Sequence, residues 1–465
     1  MDILNRISSE KLTEVFGWPQ NIKEKISVLA QKVNIESTNN IKQTYLYDFE
    51  KMFFDISEYL YGSTAVLKYH TTRIDHIPKN TKGMHYQKDE IYIGASPDVS
   101  GSWAQIDIDV FWNGMKGVIK HINEERQVEN FHYNLISGSV EKRVSNITDA
   151  EKALRIQKYG RCVFFTTTMY ELIIQLYLSE SVAIKGLVIP KLYWVRKNHK
   201  LGVDAFMQKA PGVFLHMVPK EYTLLALAHV LKHLWVLQLQ THFMHRDFHA
   251  GNISFDVKSK QVGIIDFGMS CINPTLGHVA WQANNPDFYP ILNNSHASKC
   301  TNRSLDVCCL VASLENYSGN SFLTEEYENM LVVFKSKLAA ASPALKHKFE
   351  TGEDYYTKID GKHWYIGNNI EHKSQQHFWT YSMSEFPEEK WFPENLLKRL
   401  LPKLPLKDWF QIRKNFTKPF DSIMPQINIV TKGKTGTLIK LHQKNKLKVR
   451  VGSEMLLVDL NDIVI

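Results

Sequence analysis

The stretch 242–268 constrains this chain more than any other. It opens His-Phe-Met-His-Arg-Asp-Phe-His-Ala-Gly-Asn-Ile-Ser-Phe and closes on Gly-Ile-Ile-Asp-Phe-Gly. Asp247 falls on a polar loop, Asn252 follows five residues later, and Asp266 ends a short apolar strand just before Phe267 and Gly268. A carboxylate such as Asp247 can orient a hydroxyl or accept its proton. Asn252 and Asp266 offer oxygen ligands of the hard kind that Mg2+ takes. The residues leading in, 222–239, are apolar at helical spacing, with Leu224, Leu227, Leu231, Leu234 and Trp235 on the repeat. His229, Lys232, His233 and Gln238 interrupt that run, so it reads as a buried helix of a soluble protein and not a membrane span.

The order and spacing of these residues resemble the catalytic and metal-binding loops of the protein-kinase superfamily. The resemblance implies phosphoryl transfer from ATP with Mg2+, in which positioning and charge neutralisation do most of the work. It makes Asp247, His249 and Asn252 catalytic, gives Asn252 and Asp266 to the metal, and makes His245 structural. His249 departs from the Ser/Thr protein kinases, which carry lysine two residues after the aspartate. Histidine there is similar to the aminoglycoside-phosphotransferase branch, whereas His-Arg-Asp and Asp-Phe-Gly favour the protein kinases. That frame displaces a zinc reading of His242, His245 and His249.

The same resemblance places a kinase small lobe at 131–210. Its phosphate loop falls on Ser137-Gly138-Ser139-Val140-Glu141-Lys142-Arg143-Val144, with one glycine where the family has three. The strand lysine that grips the phosphates is expected two residues after an alanine, and Arg155 after Ala153 holds that place. Arginine is a poor substitute for a compact ammonium. Lys142, placed as in the with-no-lysine kinases, and Lys158 are therefore the alternative phosphate ligands. Glu171, on an amphipathic helix over 166–178, is the ion-pair glutamate. Phe206-Met207-Gln208-Lys209-Ala210-Pro211-Gly212 resembles the hinge of the adenine pocket, with Met207 as gatekeeper. The large helical lobe is expected over 211–425, and Asp306 in Ser304-Leu305-Asp306-Val307 would tie down the catalytic loop. No Ala-Pro-Glu anchor occurs between them.

The flanks carry no such motifs. Residues 1–130 read as an α+β elaboration without a catalytic part. Its Ile106, Ile108 and Val110 alternate with Asp107 and Asp109, so the aspartates are expected on a solvent face, with a metal pair as the rarer reading. Over 427–465 five short strands are separated by turn residues, which resembles an SH3-like or KOW-type barrel. Seven basic residues against three acidic ones give this segment +4 of the chain's net +8. It could contact protein or nucleic acid.

A chain of 465 residues exceeds one ordinary core. Five scattered cysteines, without a repeated Cys-x-x-Cys pair, point to a reducing compartment, and the first residues lack a secretory pattern. The expected fold is α+β: a bilobal protein-kinase-like fold with domains at 1–130, 131–210, 211–425 and 426–465. The expected function is a Ser/Thr protein kinase acting on protein substrates in the cytoplasm. In style it resembles kinases of large cytoplasmic DNA viruses, some of them packaged in virions. A pseudokinase scaffold and a small-molecule phosphotransferase are the alternatives.

Overall fold

The computed structural model describes 71–74, 90–95, 99–100, 104–123, most of 171–198, 202–272 except 269, 276–277, 302–350 except 342, 355–359, 362–366, 388–413, 426–429, 434–443, 446–459 and 463–464. A seven-stranded sheet comes first. It comprises β1 (Thr71–Ile74), β2 (Ile91–Gly94), β3 (Val99–Ser100), β4 (Ala104–Trp112) and β5 (Met115–Asn123), with β7 (Leu192–Asn198) and β8 (Gly202–Met207), while β6 (Leu187–Val188) lies elsewhere. The order is β1-β2-β4-β5-β8-β7, with β3 on β4. β4 and β5 form a hairpin through Asn113 and Gly114, both at positive φ as such a turn requires. The antiparallel pairing of β5 with β8 joins residues from before and after the expected boundary at 130 into one sheet, so the sheet crosses that boundary.

Alternation along β5 gives the sheet two different faces. Ile119 points to a core with Ile91, Val110, Trp112, Trp194 and Phe206, whose rings meet edge-on or tilted. Lys120, one residue on, points the other way. Gly117 lies where β5 crosses the end of β8: a Cβ there would come within 2.3 Å of the Met207 carbonyl oxygen.

The alternation expected in β4 fails at one place. A register irregularity between Asp107 and Val110 shifts the inward set, so Asp107 is 3% exposed while Ile106 and Ile108 are half-buried. Asp107 is therefore not a solvent-face residue.

A second, four-stranded sheet has the order β6-β11-β10-β9, with β9 at Val213–Phe214, β10 at Ile253–Phe255 and β11 at Val262–Ile264. Val188 thus pairs with the strand before Asp266, not with the strands of the first sheet. Short pairs follow: β12 (Cys271–Ile272) with β13 (Leu276–Gly277), and β14 (Tyr355–Ile359) with β15 (Lys362–Ile366).

The helix Thr223–Thr241 is apolar around nearly its whole circumference, which is why it runs through the main core and not along its surface. It passes a length and hydropathy test for a membrane span, but 83% of the tested window is buried inside the protein. Around it pack the helices Ser304–Ser318, Ser321–Ala341, Pro393–Leu400 and Leu406–Arg413, with Trp391 and Trp409 fully buried. The last residues form an antiparallel five-stranded sheet in the order β19-β18-β17-β16-β20, from β16 (Gln426–Ile429), β17 (Lys434–Gln443), β18 (Lys446–Val451), β19 (Glu454–Asp459) and β20 (Ile463–Val464). Val449 and Val458 of this sheet are buried in the same apolar core as the helices.

Candidate active site

The long helix ends at His242, whose left-handed backbone, φ 53°, turns the chain out of the helical path. The loop that follows is held from below. Asp306, fully buried at the start of the helix Ser304–Ser318, accepts backbone N–H bonds from His245 at 2.9 Å and Arg246 at 2.8 Å. Burial raises the Asp306 carboxyl, and these donors oppose it. Ser313, two turns along the same helix, accepts the N–H of Ala250 at 2.9 Å. Arg246 sits at φ 65°, a conformation costly for a non-glycine residue and sustained here by both sets of bonds.

His245 ties the loop to the strand that carries Asp266. Its Nε2 donates to the Ile265 carbonyl at 2.9 Å, and its ring packs between Phe243, Phe248 and Phe267. Asp266 itself has φ 64°, so the chain turns sharply as it leaves β11.

Within this frame Asp247 and Asn252 come together. Asn252 Nδ2 donates to the Asp247 carbonyl at 2.9 Å and to its Oδ2 at 3.2 Å. That commits the amide nitrogen and leaves the amide oxygen as the atom offered to a cation. Asp247 and His249 are each one-third exposed. His249 Nδ1 accepts the N–H of Gly251 at 3.0 Å, so in the neutral ring the proton sits on Nε2, which faces Asp247 Oδ2 at 3.7 Å.

The opposite wall holds a residue that the sequence reading did not name. The basic partner of Glu171 is Lys120 on β5, from the segment expected to hold no catalytic part. Lys120 Nζ lies 2.5 Å from Glu171 Oε1 and 3.0 Å from Asp266 Oδ1. Glu171 lies in the helical residues around 171–179. Gly138, Ser139, Lys142, Arg155 and Lys158 lie outside the described residues. Among the described residues, β5 supplies a lysine at the Glu171 carboxylate. Its sequence signal was faint: Gly117-Val118-Ile119-Lys120 is a short apolar strand with a single basic residue, and no alanine stands two positions before it.

Burial alone would lower the Lys120 ammonium, but the Asp266 and Glu171 carboxylates outweigh it and hold the amine above its ordinary range. Burial raises Glu171, and Lys120 opposes that rise. At Asp266 partial burial acts upward, and Lys120 more than offsets it, so this carboxyl lies below its usual range. The site therefore presents an ionised Asp266 at working pH, still 36% exposed toward solvent.

Met207 ends β8 and is almost fully buried, with Gln175 Nε2 at 3.4 Å from its sulfur. After it, residues 208–212 lead into β9. Gly212 has φ 68°, and a Cβ there would lie 2.1 Å from the Phe255 carbonyl oxygen. This linker lies against β11, where a Cβ on Gly263 would meet Pro211 Cδ at 2.8 Å.

The ligand atoms that Asp247, Asn252 and Asp266 can offer are all oxygen. With Lys120 as a fixed cation beside them, the set suits a hard divalent ion shared with phosphate oxygens. The family model described as "phosphotransferase enzyme family" (APH) matches residues 210–288, which include Asp247, His249, Asn252 and Asp266 but neither Lys120 nor Glu171. No curated protein matches the chain. The matched segment supports a kinase-like phosphotransferase.

Proposed function

We propose that the protein transfers the γ-phosphoryl group of ATP to hydroxyls of protein substrates, as a bilobal Ser/Thr kinase with its cleft between the first sheet and the helical part. The observation that carries this reading is the double contact of Lys120 with Glu171 and Asp266, since kinase catalysis requires both the lysine–glutamate pair and the metal-side aspartate in place. Lys120 would hold the α- and β-phosphates, and Met207 and the 208–212 linker would line the adenine. Asn252 and Asp266 would hold Mg2+, which when bound neutralises charge on the phosphate oxygens. Asp247 would orient the acceptor hydroxyl and take up its proton, and Asn252 fixes the Asp247 carboxylate for that task. The cytoplasmic setting, the viral resemblance and a partner-binding role for the basic terminal sheet belong to the same proposal.

His249 and the phosphotransferase-family match favour a second reading, in which the acceptor is a small hydroxylated molecule. Radiolabelled ATP offered with basic proteins, acidic proteins and aminoglycosides separates the two, with Asp247→Ala as control. We expect label in protein, lost in the variant. Label in aminoglycoside alone would establish the second reading, and no label together with no thermal shift from Mg-ATP would overturn both.

A further inference from the structure

The residue after Lys120 faces the other side of the sheet, and its surroundings are unusual. His121 Nδ1 lies 2.8 Å from Asp204 Oδ1 on β8, and its Nε2 lies 2.9 Å from Asp107 Oδ2 on β4. Both aspartates are 3% exposed in their side chains. A ring whose two nitrogens both meet carboxylates can donate to both only as imidazolium. His121 thus links three adjacent strands through side chains, directly across from Asp204 in register and diagonally to Asp107. The irregularity in β4 is what turns Asp107 inward to meet it.

We infer that the Asp107–His121–Asp204 bridge is a positioning device for Lys120: by locking β5 between β4 and β8 it sets where the Lys120 amine stands between Glu171 and Asp266. All three lie on the side of the sheet opposite to Lys120, so they are positioning residues and not catalytic ones. The inference rests on the reading of Lys120 as the phosphate-binding lysine. Physically, a lysine side chain is long and flexible, and its aim depends on a backbone that cannot slide. Backbone ladder bonds alone tolerate register slip at irregular strands, and β4 is irregular at this point. Charge-assisted bonds to buried aspartates on both neighbours oppose that slip.

The groups facing His121 are Asp107 from β4 and Asp204 from β8. Gln105 stands across from it in register, Arg196 on β7 stands across from Asp204, and half-buried Asp109 lies beyond the irregularity. Burial alone would lower the His121 imidazole, but the bonds to Asp107 and Asp204 outweigh it and raise it to about 9. The bridge should therefore hold through neutral pH and weaken as pH rises through that value.

The test titrates the full-length protein with Mg-ADP, following melting by circular dichroism on the same samples so that affinity is read per folded molecule. Replacing a charged hydrogen-bonding partner should weaken Mg-ADP by about tenfold in His121→Gln and Asp204→Asn, with the acceptor KM unchanged. Wild-type affinity should fall above about pH 9, and Asp204→Asn should move that fall to lower pH. A merely structural bridge would lower the melting temperature and the active fraction yet leave the affinity of the folded fraction and its pH profile unchanged; that result overturns the inference. Lys120→Met is the control. Loss of Mg-ADP binding there with normal binding in the bridge variants, Asp107→Asn included, defeats the bridge alone. Binding that survives Lys120→Met defeats the premise about Lys120 itself.

Discussion

Lys120 Nζ and Asp266 Oδ1 are 3.0 Å apart, although 146 positions separate them in the chain. This contact joins the first sheet to the chain just after β11, and Glu171 meets the same amine. The pair fixes a cation at one wall of the site and an ionised oxygen ligand at the other.

Removing the cation should therefore cut turnover sharply and leave buried Glu171 without its ion partner. Lys120→Met is expected to lower kcat/KM by about 10²–10³, the cost typical of losing one preorganised charge at a reacting oxyanion. Lys120→Arg should recover only a small part, because a guanidinium is larger and planar. Steady-state kinetics with ATP as the varied substrate checks both.

Asp247 should be worth more in kcat than in KM. In the proposed reaction it holds the acceptor and not the nucleotide, so Asp247→Asn is expected to reduce kcat by about 10²–10⁴ while Mg-ADP binding, measured by titration, stays near wild type. A comparable loss of nucleotide affinity would place Asp247 on the phosphates instead.

Asp306 should behave as a support. Asp306→Asn removes one of two acceptor oxygens from the His245 and Arg246 N–H groups and sets an amide against a buried donor. A loss of about 2 kcal/mol or more in unfolding free energy is expected, measured by urea denaturation. Activity should fall in parallel, because Arg246 and the strained turn at 246 lose their tether.

Two buried histidines set the acid limit. Burial, with Lys232 nearby, lowers both His229 and His233 to about 3, from an ordinary value of 6.5. Between those values the unfolded chain binds protons that the folded chain refuses. Stability should thus fall as pH drops through that window and be untouched by these groups above it. His121 acts in the opposite sense: raised to about 9, it stabilises below 6.5 and loses that contribution as pH rises toward 9. Thermal melts across pH should show a maximum between the two windows. His229→Phe should flatten the acid side, since it removes a buried imidazole that packs against Phe255.

Gly212 gives a backbone test of the linker after Met207. Its positive φ and the 2.1 Å approach to the Phe255 carbonyl oxygen leave no room for a methyl group, so Gly212→Ala should force β9 away from β10. We expect a destabilisation of more than about 1 kcal/mol by chemical denaturation, together with weaker ATP binding.

The sequence by itself determined the parts of the site that are local. Asp247, Asn252 and Asp266 lie within twenty residues of one another, and loop spacing and one short strand set them close in the chain. The long apolar helix was legible for the same reason, because periodicity acts over a few turns. Tertiary structure alone decided the other wall. Lys120 reaches Glu171 and Asp266 only because β5 pairs with β8, a register between segments some eighty residues apart that no local pattern encodes. It also decided Asp107, whose alternation promised solvent until an irregular pairing turned it onto His121. Local chemistry is written in spacing, whereas which strand stands beside which depends on the burial that the whole core achieves.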